Sequence, residues 1–193
     1  FDFEKFQSYI TELADKNEGY YSWGGLRYFL YEYELHLQEK ANNNQKVSWT
    51  DFTKRKKEDT IEHIYPQTPK DDCWKDAFKD NDKKQRKALL HSLGNLLLLA
   101  HSKNSELQNK CFDFKKKHTN SKGVLVGYFN GSYSEIEVSS YIQWTAEEII
   151  ERGIKMLEFM EQRWKFSDNH LIRGWGLNKK ELLNVEFEPV DGE

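Results

Sequence analysis

Four polar residues stand where a folding chain has little local reason to put them. Glu62 and His63 sit side by side in "IEHIYPQ", residues 61–67, between two isoleucines and just ahead of Pro66. Asn95 directly precedes four leucines in "GNLLLLA", and Asn104 lies three residues before Leu107 in "KNSELQNK". Singly, each has an ordinary structural reading: a hydrogen-bonded core histidine, a turn residue beside Gly94, an amide capping a helix. As an ordered set they hold a definite chemistry. A carboxylate and an amide oxygen suit a hard cation such as Mg²⁺, which takes oxygen ligands at about 2.0–2.1 Å and keeps several waters. A neutral imidazole beside them can accept a proton from water near pH 7. A cation there offsets charge on a phosphate and its leaving oxygen. The two cysteines, Cys73 and Cys111, form no CxxC pair and the other donors are mostly oxygens, so zinc is not the expected ion. His91 and His101 flank the Asn95 segment and stand as candidate extra ligands, with the bystander reading preferred for each.

These residues meet only if particular elements carry them. On a regular strand Glu62 and His63 would face opposite sides, so both can serve one site only where the strand ends or bends, which Pro66 and Pro69 favour. "GNLLLLA" reads as a second, buried strand. "SKNSELQNKCFDFKKKH" reads as a helix with Ser102 as its cap, and Leu107, Cys111 and Phe114 at helical spacing make its inward stripe. Asn104 would head that stripe. Between the strands, "DDCWKDAFKDNDKKQRKALLHSL" is a polar, helix-prone excursion. Upstream, "LRYFLYEYELHLQEKA" reads as a helix after a Gly-Gly break, and "NNNQ" as a loop. Downstream, Thr145 caps a helix whose first turn carries Glu147 and Glu148. The expected fold is helix-dominant α+β: a helical segment over residues 1–45, a small two-strand-and-helix core over 46–125, and a helical extension over 126–193 of the same domain.

Composition narrows the setting. With 12 Phe, 10 Tyr, 6 Trp and 32% charged residues, the chain can build a core and stay soluble. No apolar run approaches the roughly 20 residues of a membrane span. The opening "FDFEKFQSYI" has no Met, basic n-region or apolar h-region, so the chain is expected to be a piece of a longer protein without a signal peptide. Two cysteines are read as no disulfide framework, in keeping with a reducing bacterial cytoplasm. The net charge of −3 conceals an asymmetry: residues 45–125 hold 18 basic against 11 acidic residues (+7), leaving 11 basic and 21 acidic (−10) elsewhere. The basic clusters include Lys54-Arg55-Lys56-Lys57 and Lys115-Lys116-Lys117. A polyanion is a natural partner for such a segment; solvated helix faces are the plain alternative.

Taken together, "EHIYPQ", "SLGNLLLL" and "KNSELQNK" resemble the His-Me finger (HNH-type, ββα-metal) nucleases, and more closely the C-terminal nuclease domain of the GmrSD-type modification-dependent restriction endonucleases. The resemblance runs from Arg27 in "LRYFLYEYE" through Trp144, Thr145, Ile149 and Arg152 to Trp164. It implies a ββα-metal core in which His63 is the general base that activates water and Glu62 and Asn104 hold Mg²⁺ or Mn²⁺. Asn95 would orient the loop carrying His63, and Lys110 would contact the phosphate; from the charge pattern, Lys115, Lys116 and Lys117 are expected to meet nucleic acid as well. It also implies DNA as substrate, an N-terminal nucleotide-hydrolysing domain in the full-length protein, and a role in defence against foreign, modified DNA. A catalytically silent nucleic-acid-binding module and an RNase of the same fold remain as alternatives.

Overall fold

Phe6, Ile10 and Leu13 recur at helical spacing and form the buried face of helix α1 (Phe3–Asp15). A computed structural model provides the structure of the chain, describing residues 3–16, 18–54, 61–99, 106–164 and 183. A 3₁₀ turn (Gly19–Ser22) and the Gly24-Gly25 break lead into α2 (Leu26–Ala41), which buries Leu26, Phe29, Leu30, Tyr33 and Glu34. It stops at Asn42, whose left-handed φ of 48° a short amide side chain tolerates. Helix α3 (Trp49–Thr53) then stacks Phe52 on Tyr31, with ring centroids 4.9 Å apart.

The first strand, β1 (Ile61–His63), pairs antiparallel with β2 (Leu96–Leu98) in the register Ile61↔Leu98, Glu62↔Leu97, His63↔Leu96. Both are three residues long and buried throughout. The excursion between them holds two helices, α4 (Asp72–Ala77) and α5 (Lys83–Leu90). A capping box starts α5: Asp82 accepts from the Gln85 amide at 2.8 Å and Gln85 from the Asp82 amide at 2.9 Å. A 3₁₀ turn (Leu93–Asn95) then feeds straight into β2.

After β2 the structure departs from the sequence-based expectation. The segment expected as one helix breaks after Leu107, where Gln108 takes φ 32°, and α6 (Phe112–Lys116) starts afresh after Cys111. The break resets the helical phase. Phe112 and Lys115, three apart, now point inward, while Phe114 lies flat on His118 with centroids 3.8 Å apart. The expected stripe of Leu107, Cys111 and Phe114 is therefore not one face. The cysteine reading is corrected too: Cys73, in the first turn of α4, and Cys111 form a disulfide. They lie 38 residues apart, so no local spacing could report the pairing.

A small hairpin of β3 (His118–Thr119) and β4 (Leu125–Val126) precedes α7 (Tyr133–Ser139). The Glu34 carboxylate from α2 accepts from the Tyr133 and Ser134 amides at 2.8 and 2.7 Å, partnering buried donors at a helix N-terminus. Helix α8 (Ala146–Trp164) closes the fold, and Thr145 caps it: its hydroxyl accepts from the Glu147 amide at 3.3 Å while Glu148 reaches back to the Thr145 amide at 2.8 Å. No helix among the described residues is long and apolar enough to cross a membrane.

Two contacts bolt α8 to the strand pair. Arg152, fully buried, donates to the carbonyls of Gly94 and Leu96, both at 2.8 Å, and pairs with Glu137 of α7 at 3.1 Å. Gly94 lies so close to α8 that a Cβ there would meet the Ile149 carbonyl oxygen at 1.9 Å. The architecture is helix-dominant α+β, with a two-stranded centre set by the helices around it.

Two outcomes follow for stability. Gly94→Ala should lower the thermal midpoint through overpacking worth about 1–3 kcal/mol, whereas Gly24→Ala, with nothing within 4 Å of the new Cβ, should leave it nearly unchanged. Reducing the Cys73–Cys111 disulfide should also lower the midpoint, by about 2–4 kcal/mol in stability; a melt that dithiothreitol does not move would show that the bridge closes no loop of consequence.

Candidate active site

Asn95 is fully buried at the point where the 3₁₀ turn becomes β2, and its side chain uses every hydrogen bond it can make. Its Oδ1 accepts from the Tyr65 amide at 2.7 Å and from the Trp144 indole at 3.1 Å. Its Nδ2 donates to the carbonyls of Tyr65 and Leu90, at 3.0 and 2.9 Å. The Asn95 carbonyl also takes the Ile64 amide at 3.0 Å. The residues leaving β1, the last residue of α5 and the entrance to α8 thus meet on one carboxamide. Asn95 does not reach the cleft; it holds the residues that do.

His63 ends β1 on the wall of an open cleft of about 300 Å³, lined also by Glu62, Tyr21, Gln67, Gln108 and Asn109. Tyr21 lies against its ring with centroids 4.6 Å apart. Both ring nitrogens have neighbours: Nε2 is 3.3 Å from His91 Nδ1, and Nδ1 is 3.4 Å from the Gln67 amide nitrogen. An amide nitrogen can only donate, so with that contact made Nδ1 carries the lone pair and Nε2 the hydrogen, donated to His91. Burial lowers the pKa of His91, and Lys87 adds to the shift, so the residue facing His63 favours its neutral form.

Glu62 precedes His63 and lines the same cleft, but its Oε1 is held by Lys115 Nζ at 2.6 Å. The Lys115 ammonium also donates to the carbonyls of His63 and Ile64, at 3.2 and 3.0 Å, and is fully buried. Burial pushes the Glu62 carboxyl up and the Lys115 ammonium down, and in each case the partner's charge opposes the shift. The expectation that Lys115 meets nucleic acid is corrected here. The phase reset at Gln108 turns it inward, to the buried carboxylate of Glu62.

The other lysines differ. Lys110 and Lys117 are exposed, with their ammonium groups near the rings of Phe114 and Phe129. Lys116 is half-buried and donates to the Tyr141 carbonyl at 2.6 Å. Asn104 and His101 lie outside the described residues. The structure therefore brings Glu62 and His63 to one cleft and sets Asn95 behind them. Tyr21 and Gln67, both beside His63 in the cleft, had no role assigned from sequence, and Lys115 had a different one. Gln67 lies four residues beyond His63 in the quoted motif, which was a usable signal; Tyr21 comes from a distant turn and left none.

The donor set can be tested against a divalent cation. Lys115 engages one carboxylate oxygen of Glu62, and Oε2 has no hydrogen-bond partner among the described residues. A carboxylate oxygen with no partner among the described residues, beside an imidazole in an open cleft, fits a hard cation that retains most of its waters.

Asn95→Ala should lower both thermal stability and any activity of the cleft, because the Tyr65, Leu90 and Trp144 groups each lose a partner, at about 1–3 kcal/mol per buried group. Trp144→Phe, which removes one donor only, should cost less; equal losses would mean that the amide acts mainly through Trp144.

Among comparisons with known proteins, one identifies a family. The model of the family described as "GmrSD restriction endonucleases, C-terminal domain" matches residues 3–159. No curated protein and no solved structure matches the chain.

Proposed function

We propose that this chain, which belongs to the GmrSD restriction endonuclease C-terminal domain family, hydrolyses DNA phosphodiester bonds with His63 as general base and Glu62 as a ligand of Mg²⁺ or Mn²⁺. The observation that carries this reading is the end of β1: the His63 imidazole next to a carboxylate with one oxygen held by Lys115 and the other without a hydrogen-bond partner among the described residues, both lining one open cleft.

In this reading the phosphate enters the cleft and a water takes the place of the Gln67 amide at His63 Nδ1. His63 takes a proton from that water as its oxygen forms a bond to phosphorus, and the bond from phosphorus to the leaving oxygen breaks. His91, holding Nε2, keeps the ring in its working tautomer. Glu62 would hold the cation, with Asn104 as a second oxygen ligand. The cation would supply charge stabilisation on the phosphate as the leaving oxygen departs. Lys110, Lys116 and Lys117 remain for the DNA backbone. The full-length protein would add a nucleotide-hydrolysing domain N-terminal to this one and act in bacterial defence against modified DNA.

The test is digestion of supercoiled plasmid, with a matched RNA, in Mg²⁺, Mn²⁺ or EDTA. Cleavage of DNA should require the cation. His63→Ala should reduce the rate by about 10²–10⁴-fold with the melting temperature kept, and high Mn²⁺ should not restore it. A His63→Ala protein that cuts at the wild-type rate, or wild-type cleavage that EDTA leaves intact, would overturn the mechanism; preference for RNA would move the assignment to a ribonuclease.

A further inference from the structure

Lys115 is the most unusual group in the molecule. Its ammonium is fully buried, and its three N–H donors meet three acceptors: Glu62 Oε1 at 2.6 Å, the His63 carbonyl at 3.2 Å and the Ile64 carbonyl at 3.0 Å. A buried ion pair is weak evidence of stabilisation, since packed apolar side chains often serve as well at lower desolvation cost. Its place is more informative. All three acceptors belong to consecutive residues, 62–64, at the end of β1 where the strand gives onto the cleft. Lys115 also bridges Glu62 to α6, beyond the break at Gln108, which lines the same cleft.

We propose that Lys115 is a positioning residue: it holds Oε1 of Glu62 so that Oε2 faces the cleft in a fixed orientation, presetting the carboxylate to receive a divalent cation. The inference rests on the reading of Glu62 as a metal ligand. A ligating carboxylate is ordinarily oriented by a hydrogen bond to its other oxygen, and loss of such an outer partner weakens metal binding. A free glutamate side chain would have to give up rotamer freedom on each binding event; Lys115 removes that cost in advance. The two backbone bonds serve the same end, because they fix the stretch of chain from which both Glu62 and His63 project.

The test is calorimetric titration of Mn²⁺ into the 193-residue chain, with a melting curve for each protein. Lys115→Met should weaken Mn²⁺ binding by about 10–100-fold, and the Mn²⁺ concentration needed for half-maximal plasmid cleavage should rise in step. Glu62→Gln should weaken binding at least as much. The double variant should bind no more weakly than Glu62→Gln alone, since Lys115 acts through that carboxylate. Wild-type Mn²⁺ affinity in Lys115→Met, or an additive double variant, overturns the proposal. Should Lys115→Met not fold, Lys115→Arg keeps the charge but displaces the donor nitrogens; its folded form should also bind Mn²⁺ more weakly, and unchanged affinity there overturns the proposal equally. Mn²⁺ binding that survives Glu62→Gln removes the metal reading and this proposal with it. Binding lost in Glu62→Gln but kept in Lys115→Met removes this proposal alone.

Discussion

The Asn95 carboxamide is the constraint on which the rest of the structure depends. A buried amide left unsatisfied is costly, so a single native arrangement is favoured in which Tyr65, Leu90 and Trp144 all approach it together. These three come from the segment after β1, the end of α5 and the start of α8. The strand pair is only three residues long and could not hold its own register with so few ladder bonds. The amide, with Arg152 donating to the carbonyls on either side of it and Gly94 admitting α8 to close contact, supplies what the ladder lacks.

The cleft then poses an electrostatic problem. Glu62 and Lys115 both lie in the interior, where charge is poorly solvated, and each is tolerable only beside the other. Their pairing joins the sequence before the excursion to the helix after the break. The Cys73–Cys111 disulfide and the Trp74 indole, which donates to the Asn109 carbonyl at 3.1 Å, tie α4 of the excursion to the residues around the break. The cleft wall formed by Gln108 and Asn109 is thus held at several points although it has no regular secondary structure.

Much of this was legible in the chain. The helices α1, α2 and α8 follow from periodicity, the Gly-Gly break, and the Thr145 cap. Two short strands around a helical excursion follow from the prolines and the leucine run. The break at Gln108 was not legible, because residues 102–118 have good helical spacing and no Gly or Pro to interrupt it. There a left-handed residue and the covalent tie at Cys111 override local preference.

The sequence by itself determined the kinds of element, their order, and the adjacency of Glu62 and His63, because these depend on residues close together in the chain. Only the tertiary structure decided which polar groups pair. It alone turned Lys115 from a surface charge into the partner of Glu62, brought Tyr21 and His91 to the His63 ring, and joined Cys73 to Cys111. Such pairings rest on phase and proximity between segments tens of residues apart. A shift of one residue in a helix turns its face by about 100°, so a single unforeseen break suffices to exchange an exposed lysine for a buried one.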